Sequence, residues 1–437
     1  MRHLLITCQP DVAQPPRSHS LLLLDLVSPS APVDEQTIRS LGEQGWAAIL
    51  RTASQHRLEP LLHWQLSRLR PGLPVPVAVR DDLKRTFKAH TLRSLEVQWE
   101  LPRLHRILTG AGIPYVALKG AFLAFHAYPH PALRPLRDLD LLVPADRVMD
   151  ANRVLRVNGF TQHELKPGDP EAWANVAHHL PPLRAPSGIF VEIHHGLARS
   201  TPEGSRLPDP DESQRFWERC IRRQFEGEEI PYESPTDLLL HLVVHAAFHH
   251  QFNNGPLLLS DVAMLLRAEP IDWPLFWTLA SQAGATRGCV LVLRLTMRQW
   301  GELPVEWPAG LDAGADALGA QMDNAAAVMV WDAEARRGLA TGDALAERIS
   351  QAGFLGAWLG RIFPPRNRVA FHFPVSARSP TIVLWYFAYW WWSIRERFPA
   401  YVRSRRKSGD SAERRQLAEL SEWLAGSHGQ PVQPMEE

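Results

Sequence analysis

Two aspartates one residue apart, Asp138 and Asp140, stand in the run RPLRDLDLLV at residues 134–143. On an extended strand successive side chains alternate between faces, so the two carboxylates share one face and Leu139 and Leu141 the other. Neighbouring carboxylates repel, and burying them unpaired costs several kcal/mol. A divalent cation removes that penalty, and oxygen-only ligands favour Mg²⁺ or Mn²⁺ over Zn²⁺. Taken alone, the pair describes a solvated strand end or turn equally well. A second run, FVEIH at 190–194, puts Val191 and Ile193 on one face and Glu192 and His194 on the other. If this strand lies beside the first, Glu192 joins Asp138 and Asp140 in a cluster of three acids. Three acids can hold two metal ions, which together polarise an α-phosphate, activate an attacking oxygen and stabilise a leaving pyrophosphate. The expectation is sharp: the side chain of Glu192 must lie next to those of Asp138 and Asp140 and away from the apolar interior.

Other residues could complete such a site. Lys119-Gly120 lies between a strand-type run at 113–118 and a helix expected over 121–128. Only five of the 47 basic residues are lysine, so a lysine at this turn is an unusual choice for this chain. Its ammonium suits contact with a phosphate or carboxylate inside a cleft; the plainer alternative is a strand-end lysine in solvent. Arg134 and Arg137 flank the acids and either hold a nucleotide phosphate or neutralise the cluster, with Arg134 the stronger candidate. Asp237, His241, His245 and His249 recur every four residues and form one polar stripe on an otherwise apolar helix. Either the stripe faces the cleft, with His241 and His245 contacting nucleotide, or it is a solvent face or a set of core histidines. Zinc at this spacing lacks both the HExxH pattern and a third ligand. His178, His179, His194 and His195 pose the same choice. His194 shares the face of Glu192 and is best placed to support a metal ligand, whereas His195 reads as structural. Asp261 reads as a helix cap or a site residue. The tryptophans at 390–392 either stack a base or pack a core, the second being the plainer reading.

The elements that must position these residues follow from periodicity. Residues 1–34 are rich in proline and serine and read as a loose arm, and 35–110 as a helical region. Across 111–200 come a strand at 113–118, a helix at 121–128, a strand at 138–143, a helix at 145–158, and strands at 177–183 and 189–195. The fold class that results is α+β, a small mixed β-sheet core embedded between N-terminal and C-terminal helical regions. Residues 201–408 read as a helical C-terminal domain, with helices over 256–267, 272–284 and 287–300. Ser234-Pro-Thr-Asp237 supplies an N-cap for another, with proline at its first position. Residues 409–437 read as a flexible tail. The run TIVLWYFAYWWWSI at 381–394 is shorter than the ~20 residues that cross a bilayer. It reads as a buried helix closing the C-terminal core. Its aromatic content and the arginines at 395, 397, 403, 405 and 406 support membrane-surface contact through 381–406 as the alternative.

Composition removes whole classes of function. Forty-seven Lys and Arg balance forty-seven Asp and Glu over 437 residues, so non-specific nucleic-acid binding is not the main role, although a local basic groove remains compatible. At 45% hydrophobic and 22% charged the chain folds rather than staying disordered. Cys8, Cys220 and Cys289 are too scattered for a disulfide framework or a CxxC metal site and fit a reducing compartment. The start MRHLLITCQP carries no secretory signal, so a cytoplasmic location is expected.

Four segments, YVALKG at 115–120, RPLRDLDLLV, VEIHHGL at 191–197 and DLLLHLVVH at 237–245, together resemble the uncharacterised nucleotidyltransferase family of the DNA-polymerase-β-like superfamily. The resemblance spans roughly residues 40–300. It implies transfer of a nucleoside monophosphate from an NTP to an acceptor hydroxyl, with Mg²⁺ or Mn²⁺ as cofactor. By position, Asp138 and Asp140 match the first metal-binding pair and Glu192 the third acid. Lys119-Gly120 stands where the wider superfamily has a Gly-Ser phosphate loop. This chain lacks the serine, which leaves the Gly120 backbone to cradle phosphate and Lys119 to direct a charge toward the β- and γ-phosphates. The acceptor is a small molecule such as an aminoglycoside-like sugar, a protein side chain or an RNA end. Two other readings remain open: a catalytically inactive nucleotide-binding or scaffold protein, partner- or membrane-associated, and a zinc hydrolase built on the histidine stripes.

Overall fold

The computed structural model describes residues 19–197, 210–311, 315–331, 363–397 and 412–426. Its strands are β1 (Val116–Ala117), β2 (Asp138–Leu142), β3 (Thr161–Gln162), β4 (Leu183–Arg184), β5 (Phe190–His194), β6 (Ile221–Phe225) and β7 (Glu228–Tyr232). Alternation sets the two central ones. Leu139, Leu141, Val191 and Ile193 are at most 1% exposed, while Asp138, Asp140 and Glu192 on the opposite face are only partly covered. Each such apolar side chain contributes roughly 1.5–3 kcal/mol on burial. A one-residue slip would exchange these side chains for carboxylates, so the register is firmly specified. The strands form one mixed sheet in the order β3-β4-β5-β2-β1-β7-β6. β2 runs parallel to β5 and antiparallel to β1, and β1 runs parallel to β7.

Helices cover the sheet. The Val77–Gly110 helix buries Leu101, Leu104 and Leu108, and accommodates Pro102 at the loss of one backbone hydrogen bond. The Pro235–Val244 helix begins as its sequence dictates, with Ser234 Oγ accepting the Asp237 amide at 3.1 Å. The expected C-terminal helices occur at Leu257–Ala268, Trp273–Gln282 and Thr286–Trp300. Apolar side chains from Leu22 to Leu424 form one continuous core. Mixed α and β with a helix-flanked sheet is the α+β class that the sequence predicts.

Several boundaries differ, each for a physical reason. Of the arm expected over 1–34, the described part contains a helix, His19–Val27, with Leu22 to Val27 buried; residues 1–18 lie outside the described residues. The expected tail contains the Ala412–Ala425 helix, which buries Leu417, Leu420 and Leu424. The strand expected over 177–183 does run antiparallel along β5, with Leu180 N–H bonding Ile193 O at 2.9 Å, but Pro181 and Pro182 lack the donors to continue the ladder. The region read as wholly helical after 200 contributes the β6–β7 hairpin. Its turn residues Glu226 and Gly227 both have positive φ (48° and 82°), the geometry that matches strand twist. The helix expected over 121–128 is a short α-turn, Gly120–Phe122, followed by a π-turn, Leu123–Ala127.

The aromatic helix, Ile382–Trp392, is not the buried closure that its composition suggests. Only Ile382 and Tyr389 are buried, and Ile382 packs in a small separate cluster with Ala172, Val369, Ala370 and Val375. Val383, Leu384, Phe387 and Trp391 are 61–69% exposed, and Trp390 and Trp392 are half-buried rather than core residues. Among the described residues no helix is long and apolar enough to cross a membrane.

His126, on the π-turn, gives the fold a pH dependence. Its ring lies 5.2 Å from Phe122 and 5.1 Å from Tyr232, and its buried Nε2 has no hydrogen-bond partner. Burial, assisted by the Arg223 charge, lowers its pKa from 6.5 to about 4. The unfolded chain takes up this proton first, so the stability tied to neutral His126 is complete above about pH 6.5 and is lost as pH falls through about 4. His126→Phe is expected to flatten the fall in urea midpoint across that window. Parallel curves for wild type and variant would reject the assignment.

Candidate active site

The parallel register of β2 and β5 sets Asp140 opposite Glu192 and Leu142 opposite His194, with Asp138 two residues earlier on the same face. His194 Nε2 lies 3.4 Å from Asp140 Oδ1 and 3.7 Å from Glu192 Oε2. One donor atom from each of Asp140, Glu192 and His194 falls within 4.8 Å of the others. Burial alone would lower the His194 imidazole, but the two carboxylates outweigh it and push it up to about 9. Burial would likewise raise Asp140, yet His194 and the Lys119 charge hold its carboxyl well below the usual range. Asp138 goes the other way. Burial, then repulsion from Asp140 and Glu192, raises it to about 7, opposed by Arg57 and Arg134.

These residues fit a divalent cation. His194 Nε2 is fully buried, points between two carboxylates and makes no aligned hydrogen bond. The tight donor set is Asp140, Glu192 and His194, with Asp138 alongside, rather than the three acids alone. His194 therefore has the position of a ligand as well as of a support. Its nitrogen is a softer donor than the oxygens Mg²⁺ prefers. Among the described residues no second group of three such side chains gathers, so the histidine stripe gives no support to a zinc site.

Lys119 follows β1 and holds an uncommon backbone, φ 39° and ψ −101°. Its amide donates to Glu233 Oε1 at 2.8 Å, and the other oxygen of Glu233 lies 3.0 Å from His241 Nδ1. Glu233 is 0% and His241 3% exposed. His241, expected on the nucleotide, is thus buried behind the Lys119 backbone and braces it through Glu233. Sequence reasoning missed Glu233, which precedes a helix cap and carries no local signal of this contact.

The remaining candidates divide between cleft and scaffold. A Cβ on Gly120 would stand 2.6 Å from Leu136 Cδ2 and 3.3 Å from Arg134 Nη1, so what the structure assigns to this glycine is close packing. Arg134 donates from Nε and Nη2 to Asp261, each at 3.0 Å, and Tyr128 Oη donates to the same carboxylate at 2.8 Å. Two of its three nitrogens are therefore committed to the scaffold, and Asp261 is their anchor rather than a cap. Asp237 is buried and bonded by Arg219 and Ser234. Burial and the Lys119 charge lower the His245 pKa strongly, and its Nε2 is 3.1 Å from His250 Nε2. His178 is pushed down to about 3 by burial and by His194. His195 bonds the Ala177 carbonyl at 2.9 Å, a structural role.

A family model described as an uncharacterised nucleotidyltransferase matches residues 42–301, more than half of the chain. The chain belongs to this family. No curated protein and no solved structure matches it. The stretch matched by the nucleotidyltransferase model runs from the Gly42–His56 helix to the end of the Thr286–Trp300 helix, and so contains the whole sheet and all the site residues above. The aromatic helix at Ile382–Trp392 lies outside it.

Proposed function

We propose that the chain transfers a nucleoside monophosphate from an NTP to an acceptor hydroxyl. The observation that carries this reading is the β2–β5 register, with Asp140 opposite Glu192 and Asp138 on the same face in the middle of the sheet. Asp138, Asp140, Glu192 and His194 would hold divalent cations, Mg²⁺ or Mn²⁺, which supply Lewis-acid stabilisation of phosphate charge when bound. The chain's own residues do the rest. Carboxylates and imidazole sit on paired strands, so their charges are fixed before any reaction and need no reorganisation. Lys119 would supply a positive charge that already acts on Asp140, as a counterpart to charge on phosphoryl oxygens. Neutral His245 would hydrogen-bond a nucleotide or hydroxyl without adding charge.

Zero net charge weighs against long RNA and leaves a small molecule, a protein side chain or an RNA end as acceptor. Incubation with labelled ATP, CTP, GTP and UTP and Mg²⁺ or Mn²⁺ is expected to release pyrophosphate or label the protein. Silence with every nucleotide and acceptor mixture would count against transfer. The exposed apolar face of Val383, Leu384, Phe387 and Trp391 favours a second reading, a nucleotide-binding scaffold with a partner or membrane surface. Calorimetric nucleotide binding without turnover would support it.

A further inference from the structure

The Ile382–Trp392 helix is fastened to the fold along one side. Ile382 packs on Ala172, Val369 and Ala370, and Tyr386 Oη donates to the Pro364 carbonyl at 2.7 Å. That cluster is tied in turn to the part of the chain that carries the sheet. The Trp173 ring stacks on Phe371 at 4.2 Å, and its Nε1 donates to the Phe371 carbonyl at 2.9 Å. Exposure on the other side therefore belongs to a helix already docked. At about 100° per residue, exposed Val383, Leu384, Phe387 and Trp391 fall within one arc of about 100°. Exposed Ile394 comes three residues after Trp391, and exposed Arg395 ends the row. Among the five apolar members, the Trp391 indole is the one group that can hydrogen-bond.

Positive charge is gathered in the same part of the sequence. Residues 361–409 hold ten Lys and Arg and one acid, Glu396, so the chain's neutrality hides a basic stretch set against an acidic remainder. We propose that the row from Val383 to Arg395 docks on the surface of a bilayer that carries anionic lipids. An apolar row alone holds a bilayer weakly and reversibly, and a basic stretch beside it supplies the second attraction that stable docking requires. Tryptophan and tyrosine settle at the depth of the head groups, and the helix is rich in both. A protein partner would ask for about one hydrogen bond per 100–200 Å², which this row does not offer. It would also need acids matched one by one to the arginines, whereas a bilayer surface is charged throughout. The helix is too short to cross, so it lies along the surface. None of this rests on nucleotidyl transfer: the face sets where the chain works, for a transferase and for a scaffold alike.

The test sediments the full chain with vesicles of phosphatidylcholine, alone or mixed with phosphatidylserine. Binding is expected with the mixed vesicles, at least about tenfold weaker with phosphatidylcholine alone, and weaker as salt is raised. Leu384→Gln with Trp391→Gln should weaken binding to the mixed vesicles by at least about tenfold, and Arg395→Gln by about fivefold. Leu92→Gln with Trp99→Gln removes two equally exposed apolar side chains from the Val77–Gly110 helix and should change nothing. Melting curves identify a variant that has lost its fold, and Val383→Gln with Ile394→Gln then tests the same row a second time. No sedimentation with the mixed vesicles would overturn the proposal. So would equal binding by wild type and the folded row variants, or equal binding to the two kinds of vesicle. A dimer that disperses in Leu384→Gln with Trp391→Gln, without vesicle binding, would overturn it by assigning the face to a second copy of the chain.

Discussion

Asp140→Asn is expected to reduce nucleotidyl transfer by about three orders of magnitude or more while leaving the fold intact. Asp140 faces Glu192 across the register and lies 3.4 Å from His194 Nε2, so it touches every part of the donor set. The amide keeps the volume and removes the charge. A cation then loses one anionic ligand, and the His194 imidazole loses the neighbour that holds it protonated in the cation-free protein. Stability is expected to fall modestly, because the loss of the attraction from His194 and Lys119 outweighs the relief of repulsion with Asp138 and Glu192. Pyrophosphate release and thermal melting measure the two halves separately. Activity within tenfold of wild type would remove Asp140, and the metal-dependent mechanism with it, from consideration.

The second large effect concerns the fold. Asp261→Ala is expected to destabilise the protein by about 3–5 kcal/mol. The Asp261 side chain is 4% exposed and that of its partner Arg134 14%, and Tyr128 is buried against the same carboxylate. Removing the carboxylate strands a guanidinium and a hydroxyl in the interior, which costs more than the pair ever contributed. The double variant Arg134→Met with Asp261→Leu should recover part of the loss, since an apolar pair of similar volume leaves no stranded guanidinium, although the Tyr128 hydroxyl still loses its acceptor. Urea unfolding of the single and double variants checks this. A loss below about 1 kcal/mol in Asp261→Ala would mean that solvent reaches Arg134 after all.

The chain discloses its strands more readily than their neighbours. DLDLL and FVEIH announce themselves because an acid alternates with apolar residues through the middle of each, and the Ser234 cap is legible because capping is local. That the two strands pair in parallel, with Asp140 against Glu192, is a long-range fact no local pattern encodes. The β6–β7 hairpin was hidden because charged residues fill IRRQF and EEIPY, so the apolar alternation is faint. The aromatic helix misled for the opposite reason: hydrophobicity on all sides reads as burial, and here only Ile382 and Tyr389 are covered. Glu233 and the anchoring role of Asp261 were beyond reach for one shared cause. Each carboxylate bonds a residue more than 70 positions away, a partner fixed only once the helices have docked.

Lys119 leaves a conflict built into one residue. Its positive φ is a conformation glycine enters freely, and a side chain there carries a penalty of order 1–3 kcal/mol. A selection for heat resistance would drift toward glycine at this position and would discard the ammonium in doing so. Hardiness and the charge of the cleft pull in opposite directions at 119, and a laboratory lineage bred for the first would lose the second without any visible change of shape.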